Sequence, residues 1–245
     1  YLTTHNAFNS SADNFTFPNQ NHTIQEQLAL GVRGFMLDVY NLRGTSTVYH
    51  GKKILGSSPF ANYLKDIKQF LDENPNEVVT IILECYVSAS EIGNDFNSAE
   101  LISYLYSYDG ESWPTLQEMI DNNTRLVLFT DKDDANSDQS WYHYIWNHAV
   151  ETNFSVHNVN DFTCAYNRGD STKELFIINH FVTKSLFGTG NKRATVLANS
   201  NPFFLNRVMQ CYQETQKFPN FITVDFVELG NTMEVVNALN LATQN

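Results

Sequence analysis

Chargeable side chains stand where several short apolar runs of the sequence end. Three runs close on a carboxylate, at Asp38, Glu84 and Asp225, and two others close on a histidine, at His5 and His50. A carboxylate left there without a partner would be desolvated and would become neutral. If these carboxylates converge at one end of the fold, they are therefore expected to share a cation or to form hydrogen bonds with the histidines. This set of residue types predicts a hydrolase, either with or without a metal ion.

Taken singly, each of these residues also has an ordinary structural interpretation. A carboxylate at a strand end commonly caps the next helix or forms an ion pair. A lone histidine is usually a surface or core residue, and His180 fits that description best. Lys132 lies in the acidic stretch 131–134, where it could be only a solvated loop charge. Independent accidents would not all fall at strand ends, so the set as a whole favours a functional site.

Strand and helix patterns alternate along the chain. Strands are predicted from short runs rich in β-branched and aromatic residues: Leu2–Thr4, Gly34–Tyr40, Thr47–His50, Val78–Glu84, Arg125–Thr130, Leu175–Asn179 and Phe221–Phe226. Helices are predicted from apolar residues at helical spacing: Ile24–Leu30, Phe60–Leu71, Ser98–Tyr106, Gln139–Glu151, Pro202–Glu214 and Met233–Thr243. The alternation implies a parallel sheet. We therefore expect one α/β domain over residues 1–245, a (β/α)8 TIM-type barrel that is distorted or incompletely closed, with its chemistry at the carboxyl ends of the strands.

The net charge restricts the partners of the protein. With 15 basic and 27 acidic residues the chain carries a formal charge of −12. Such a chain repels phosphate polymers, so nucleic acid is not expected as a partner. The charge also argues against recruitment to anionic membranes by a broad basic patch. No apolar run reaches the roughly 18 residues of a transmembrane helix.

The amino-terminal sequence and the cysteines bear on the compartment. The chain opens at Tyr1 without a basic and apolar leader, so we expect that any signal peptide was removed or never existed. The cysteines fit no zinc spacing. Cys85 is predicted to be a buried core thiol. Cys164 and Cys211 could form a disulfide if the compartment is oxidising.

Several segments, in order along the chain, resemble the catalytic X region of phosphatidylinositol-specific phospholipases C. They are THNAF at 4–8, GVRGFMLD at 31–38, YHG at 49–51, NPNEVV at 74–79, IILE at 81–84, WPTL at 113–116 and FPNF at 218–221. The resemblance spans the whole chain and is strongest to the single-domain, X-region-only proteins. Because many of those are secreted, it predicts a secreted or extracytoplasmic protein.

The resemblance implies a reaction and a catalytic set. In that family the inositol 2-hydroxyl attacks the adjacent phosphorus, a cyclic phosphodiester forms and diacylglycerol leaves. By match of motif His5 would be the base and His50 the acid, since a histidine pKa lies near working pH. Asp225 would orient the base and stabilise its imidazolium. The substrate would be a phospholipid at a membrane surface, met peripherally and transiently.

The resemblance also implies calcium. Metal-free members carry an arginine where this chain has Asp38, whereas calcium-dependent members carry an aspartate. Asn6, Asp38 and Glu84 supply hard oxygen ligands, which calcium prefers. Many calcium-dependent members carry a glutamate two residues before the aspartate, where this chain has Met36. We therefore expect a calcium site that is one carboxylate short and binds more weakly.

Substrate contacts and alternative functions complete the expectations. Lys132 matches a basic residue that contacts inositol or its phosphates, and Arg33 is a second candidate that could instead form only a structural ion pair. A sphingomyelinase D-like or glycerophosphodiester phosphodiesterase barrel is an alternative, although the latter usually opens with His-Arg and this chain has His5-Asn6. A module that binds inositol phosphate without turnover is a further alternative.

Overall fold

The computed structural model describes residues 1–110, 112–134, 137–184 and 189–242. The described strands are β1 (Leu2–Thr4), β2 (Gly34–Leu42), β3 (Thr45–Val48), β4 (Ser58–Pro59), β5 (Val79–Cys85), β6 (Leu126–Thr130), β7 (His143–Tyr144), β8 (Ala149–Thr152), β9 (Tyr166–Gly169), β10 (Leu175–His180) and β11 (Phe221–Val224). The described helices are α1 (Ile24–Ala29), α2 (Phe60–Glu73), α3 (Ala89–Ser98), α4 (Leu116–Asp121), α5 (Lys192–Ala198), α6 (Phe203–Thr215) and α7 (Thr232–Ala242). In these ranges no helix is long and apolar enough to cross a membrane.

Eight strands form a parallel array in the order β7-β6-β5-β2-β1-β11-β10-β8. Read as a closed ring that starts at β1, the strands follow one another in chain order: β1, β2, β5, β6, β7, β8, β10 and β11. This arrangement confirms the predicted α/β barrel. Within the described chain no ladder joins β7 to β8, so the barrel is open at that seam. Only the turn Ile145–Asn147 and His148 connect those two strands. Adjacent parallel strands need a crossover of about a dozen residues, so this link is too short to close the barrel.

The alternation of side chains along each strand separates two apolar layers. On β2, Phe35 and Leu37 point outward into the layer between the sheet and the helices. Met36 points inward and packs against the interior layer, to which Ile82 of β5 belongs. Because successive residues face opposite sides of a sheet, Asp38 lies on the interior face with Met36. The apolar interior thus gives way to polar residues at the carboxyl ends of the strands.

Two predicted helices are wrong. The segment predicted as helix over Ser98–Tyr106 follows α3, which begins earlier because Ser88 and Glu91 form a capping box. The segment predicted as helix over Gln139–Glu151 contains β7, a single helical turn and β8. Pairing of these strands with β6 and β10 outweighs the local pattern.

Other expectations are confirmed with adjusted bounds. The predicted strand Thr47–His50 corresponds to β3, which is antiparallel to β2 and therefore lies outside the parallel array. Thr243, the predicted end of the last helix, lies outside the described residues. Cys164 and Cys211 form a disulfide, and Cys85 is a buried free thiol.

Candidate active site

His5 and Asp225 form a hydrogen-bonded pair at the carboxyl ends of two neighbouring strands. β1 and β11 pair side by side, so the residues that follow them emerge together. The Nδ1 atom of His5 lies 2.9 Å from Oδ1 of Asp225. The Asp225 side chain is fully buried and the His5 side chain is 18% exposed. The His5 ring also stacks on Phe181, with 3.8 Å between ring centroids, so one ring nitrogen and one ring face of the imidazole are held in place.

Asn19, which sequence reasoning missed, holds this pair in place. Its Nδ2 donates to both carboxylate oxygens of Asp225 at 3.2 Å. Its Oδ1 accepts a hydrogen bond from Nδ2 of Asn9 at 2.7 Å. Burial raises the pKa of Asp225, whereas His5 and Asn19 act to lower it. Asn19 lies in a polar loop without hydrophobic periodicity, so no pattern in the sequence marked it.

Asp38 and Glu84 lie directly opposite each other on β2 and β5. Both line a cavity of about 110 Å³ together with His5 and Asn6. Burial, Glu84 and then Asp131 raise the pKa of Asp38 well above its ordinary value. The cavity therefore places the buried Asp38 beside other carboxylates, and a cation would stabilise their ionised forms.

Asp131 also lines this cavity, which the sequence did not indicate. Its Oδ1 accepts the main-chain N–H of Cys85 at 2.9 Å, and burial raises its pKa. The neighbouring Lys132, which the sequence predicted to contact the substrate, does not face this cavity. Its Nζ donates to the carbonyl of Val87 at 2.8 Å, and Lys132 is not among the lining residues of the cavity.

The donor chemistry of the cavity fits a calcium ion, although the site is sparse. Asn6, Asp38 and Glu84 all line it. The Nδ2 of Asn6 is directed at Oδ1 of Asn19, 3.4 Å away, so the amide oxygen is the end that can face a cation. Within the described ranges, no three histidine, cysteine, aspartate or glutamate side chains are grouped closely enough to hold a metal. The predicted ligand set thus offers two carboxylates and one amide, and Met36 occupies the adjoining wall.

The hairpin of β2 and β3 brings His50 back towards the site, although His50 is not among the lining residues of the cavity. Val48, the last residue of β3, pairs with Val39, next to Asp38. His50 is half-buried, and burial followed by the charge of His5 lowers its pKa to about 4. The two imidazoles are therefore close enough to interact electrostatically.

Three tyrosine rings connect the His50 segment to the acidic pair. Tyr40 stacks on Tyr49 at 4.0 Å between centroids and on Tyr86 at 4.3 Å. The hydroxyl of Tyr86 donates to Oε1 of Glu84 at 2.6 Å. Since Tyr49 precedes His50, the stack holds the main chain next to that histidine near Tyr86, which contacts Glu84.

Arg168, a cationic side chain on β9 that the sequence did not suggest, also lines the cavity. Arg168 forms an ion pair with the buried Glu151, whose other oxygen accepts Nδ2 of Asn179 at 2.9 Å. The guanidinium lies 4.7 Å from the ring centroid of Trp146 and 4.2 Å from that of Phe154. Arg168 lies in an exposed antiparallel strand, so its place at the cavity depends on tertiary pairing alone.

Two further predicted residues do not reach the cavity. Arg33 lies at the amino end of β2, where its Nε donates to Glu77 at 2.7 Å. This is the structural ion pair that the sequence allowed as an alternative to substrate binding. His180 is fully buried and its Nε2 bonds the carbonyl of Ala198 at 2.9 Å, and burial lowers its pKa to about 3. It is a core residue, as expected.

Comparison with known proteins gives a family match. A sequence model described as PI-PLC X 1 matches residues 1–240. The chain is 30% identical to a PI-PLC X domain-containing protein of Arabidopsis thaliana, over 98% of this chain and 61% of that protein. It is 26% identical to an uncharacterized secreted protein of Arthroderma benhamiae, over 93% of this chain and 57% of that protein. The chain thus spans about three-fifths of the length of these two relatives.

Solved structures share the fold. The phosphatidylinositol-specific phospholipase C of Listeria monocytogenes superposes with a TM-score of 0.64 at 19% identity, over 98% of this chain and 91% of that one. A variant of the Staphylococcus aureus enzyme of the same name superposes with a TM-score of 0.67 at 12% identity, over 97% and 91%. At these identities the likeness shows the fold, a barrel of TIM type.

Proposed function

Because this chain belongs to the PI-PLC X family, we propose that it is a phosphodiesterase that cleaves phosphatidylinositol or a glycosylated derivative. The products would be diacylglycerol and inositol phosphate, with a cyclic phosphodiester as the first product. The observation that carries this proposal is the pair formed by His5 and the buried Asp225 at the mouth of a cavity that is also lined by four other carboxylates and Arg168.

His5 would be the general base. Its Nδ1 lies 2.9 Å from Oδ1 of Asp225, so with the proton on Nδ1 the basic nitrogen would be Nε2, which would accept the proton of the inositol 2-hydroxyl. The Phe181 ring and the carboxylate fix the imidazole before substrate arrives, which lowers the cost of reaching a reactive geometry. Asp225 then stabilises the imidazolium that forms.

His50 would protonate the leaving oxygen of diacylglycerol. With a pKa of about 4 it is neutral near pH 7 in the free protein. A bound phosphate would raise this pKa, because a nearby negative charge favours the imidazolium. Once His5 has taken a proton, its charge favours proton release from His50. This interaction would therefore assist the acid step, whereas burial is the main reason that His50 is neutral at rest.

Asn6, Asp38 and Glu84 would hold calcium beside the phosphate. A bound calcium ion supplies positive charge that polarises the phosphoryl oxygen and lowers the pKa of the attacking hydroxyl. The raised pKa of Asp38 supports this assignment, since this buried carboxyl beside Glu84 and Asp131 needs a nearby cation in order to ionise. Arg168, fixed by Glu151 and two aromatic rings, would bind the headgroup in the role that the sequence assigned to Lys132.

We propose a secreted or extracytoplasmic location with peripheral, transient contact with membranes. The disulfide between Cys164 and Cys211 supports it, because such bonds persist in oxidising compartments.

An assay of inositol phosphate release tests the function and the metal together. Purified protein is incubated with phosphatidylinositol, sphingomyelin or lysophospholipid, with calcium or with a chelator. We expect cleavage of phosphatidylinositol that falls by at least about a hundredfold under chelation, because charge stabilisation of the phosphate would be lost.

Full activity under chelation would exclude the calcium role. Cleavage of sphingomyelin in place of phosphatidylinositol would favour the sphingomyelinase D-like alternative. Binding of inositol phosphate without turnover at any calcium concentration would favour the non-catalytic module.

A further inference from the structure

The sequence contains a modification motif that the proposed reaction does not use. The pattern Asn-x-Ser/Thr, with any residue except proline in the middle, accepts an N-linked glycan in secreted proteins. The structure distinguishes the acceptors by the surroundings of the side-chain nitrogen Nδ2, because that atom carries the sugar. The asparagines that begin such a pattern are Asn9, Asn14, Asn21, Asn122 and Asn153.

Asn9 is enclosed by the fold. The residue is 2% exposed, and its Nδ2 donates to Oδ1 of Asn19 at 2.7 Å and to the carbonyl of Phe17 at 3.4 Å. A sugar on this nitrogen would disturb those bonds and would place a bulky polar group in a buried position. Since Asn19 in turn donates to Asp225, the described site can form only if Asn9 stays free of sugar.

Asn21 and Asn153 are half-buried, and both ends of each side-chain amide are hydrogen-bonded. Nδ2 of Asn21 donates to Glu228, and its Oδ1 accepts a hydrogen bond from Lys192 at 3.2 Å. Oδ1 of Asn153 accepts the main-chain N–H of Ser155 at 2.9 Å, and its Nδ2 donates to the carbonyl of the same residue at 3.5 Å. Both asparagines follow strands, β1 and β8, at the carboxyl end of the barrel. A glycan on either would compete with these bonds beside the proposed catalytic residues.

Asn122 combines an exposed side chain with a position at the opposite end from the cavity. It caps the carboxyl end of α4, where its Nδ2 donates to the carbonyl of Glu118 at 2.9 Å in an exposed bond. Nδ2 carries two N–H groups and attachment of a sugar replaces one, so this bond can be kept. Since β6 begins at Leu126, Asn122 lies at the amino end of the barrel.

We propose that Asn122 carries an N-linked glycan. In the transfer, Nδ2 bonds to the anomeric carbon of an oligosaccharide that is supplied on a lipid diphosphate. The bond between that carbon and the diphosphate breaks, and one amide proton is released. The inference rests on the proposed extracytoplasmic location, because proteins meet this donor in the secretory pathway. The glycan extends from the amino end and leaves the mouth of the cavity uncovered.

Mass spectrometry of the secreted protein tests the site. A supplied signal peptide directs the full chain into the medium of eukaryotic cells. The protein is treated with a peptide N-glycosidase in heavy-oxygen water, which converts each glycosylated asparagine to a labelled aspartate. We expect label at Asn122 and none at Asn9. Asn122 without label in the secreted protein would overturn the proposal, whether or not the exposed Asn14 at the carboxyl end is labelled, and so would label at Asn9 in folded protein.

Two variants separate loss of the acceptor from a defect in folding. Thr124→Ala removes the motif but keeps Asn122 and its bond to Glu118, so the glycan should be lost. Asn123→Gly is the matched control, because it keeps the motif and glycine suits the positive φ of 56° at this position. Both variants should cleave phosphatidylinositol at the rate of the parent protein, since the motif lies opposite the cavity. A glycan that persists on Asn122 in Thr124→Ala would contradict the assignment of the motif.

This inference and the earlier proposals fail in distinguishable ways. If the protein from its natural source lacks label at Asn122 while the form secreted by host cells carries it, the acceptor site stands and the proposed location fails. If the glycosylated protein cleaves no phosphatidylinositol, the acceptor site stands and the proposed function fails. If active, secreted protein carries no glycan on Asn122, only the inference about the glycan is refuted.

Discussion

The two ends of the barrel differ in what their cavities contain. At the amino end lies the larger cavity, of about 500 Å³, whose walls include Trp113, Phe129 and Phe221. Among its described lining residues only Tyr1 is titratable. The carboxyl-end cavity is about 110 Å³, yet six of its lining residues are ionisable: His5, Asp38, Glu84, Asp131, Glu151 and Arg168.

The amino end of the barrel therefore contributes mainly to stability, whereas the carboxyl end carries the proposed catalytic residues. Apolar side chains of the amino end contribute free energy of folding by leaving water. At the carboxyl end, several charged groups are buried at a cost, and they perturb one another's pKa values. The size of a cavity is therefore a poor guide to function in this molecule, whereas buried charge that faces a cavity is a good one.

The largest expected effect is on activity at the carboxyl end. His5→Ala should lower the rate of phosphatidylinositol cleavage by about a hundredfold to ten-thousandfold, the range of a lost general base. Asp225 keeps its bonds from Asn19, so the variant should still unfold cooperatively in urea. His22→Ala, which removes a histidine whose side chain is 34% exposed, is the control. Unchanged activity in His5→Ala would contradict the assignment of the catalytic residues to the carboxyl end of the barrel.

The reverse result is expected at the amino end. Phe129→Ala should lower the free energy of unfolding by about 3–5 kcal/mol, because Phe129 is only 1% exposed and its loss leaves a void. The rate per folded molecule should stay within about twofold of the unmodified rate, since the chemistry lies at the other end. Urea denaturation and the cleavage assay measure the two quantities. A large loss of rate in fully folded protein would contradict the separation.

A moderate effect is expected for Arg168→Lys. The charge is retained, but the planar group that stacks between Trp146 and Phe154 is lost. We expect KM for phosphatidylinositol to rise by about tenfold, a change typical of one lost charged hydrogen bond. The matched change at the other end, Arg33→Lys, should leave KM unchanged. Equal effects of the two changes would show that Arg168 does not bind the headgroup.

The smallest expected effect is a change in acid stability. His50 has a pKa lowered from 6.5 to about 4 in the folded protein, so below pH 6.5 the unfolded chain binds more protons. Its contribution to stability is fully present above pH 6.5 and is lost as the pH falls towards about 4. His50→Gln should therefore reduce the loss of unfolding free energy over that interval. An unchanged loss in urea titrations would show that His50 is not buried as described.

Residues whose positions depend on a local sequence pattern could be predicted. Residues whose positions depend on pairing between distant segments could not. The strand-end residues His5, Asp38 and Asp225 were identifiable because each follows a run of apolar residues with strand character. Arg168 and Asn19 were not, because an exposed strand and a polar loop carry no periodic signal. Their positions follow from the β8–β9 register and from hydrogen bonds between distant segments.

The lack of information about distant partners also explains the wrong predictions for Lys132 and for the segment that contains β7 and β8. Lys132 and Asp131 are adjacent in sequence, and only the structure shows that Asp131 faces the cavity. The segment with β7 and β8 has enough apolar residues to suggest a helix, but its neighbours in the barrel offer it strand partners. Local sequence contains no information about those partners.

The pairing of the first strand with the last has a consequence for biosynthesis. His5 and Asp225 are separated by 220 positions along the chain, and their contact requires β11 to dock beside β1. In a chain that emerges from the ribosome amino end first, His5 is therefore made long before Asp225. The pair can form only after nearly all of the polypeptide between them has been made, so an incomplete chain lacks the contact that would orient the proposed base.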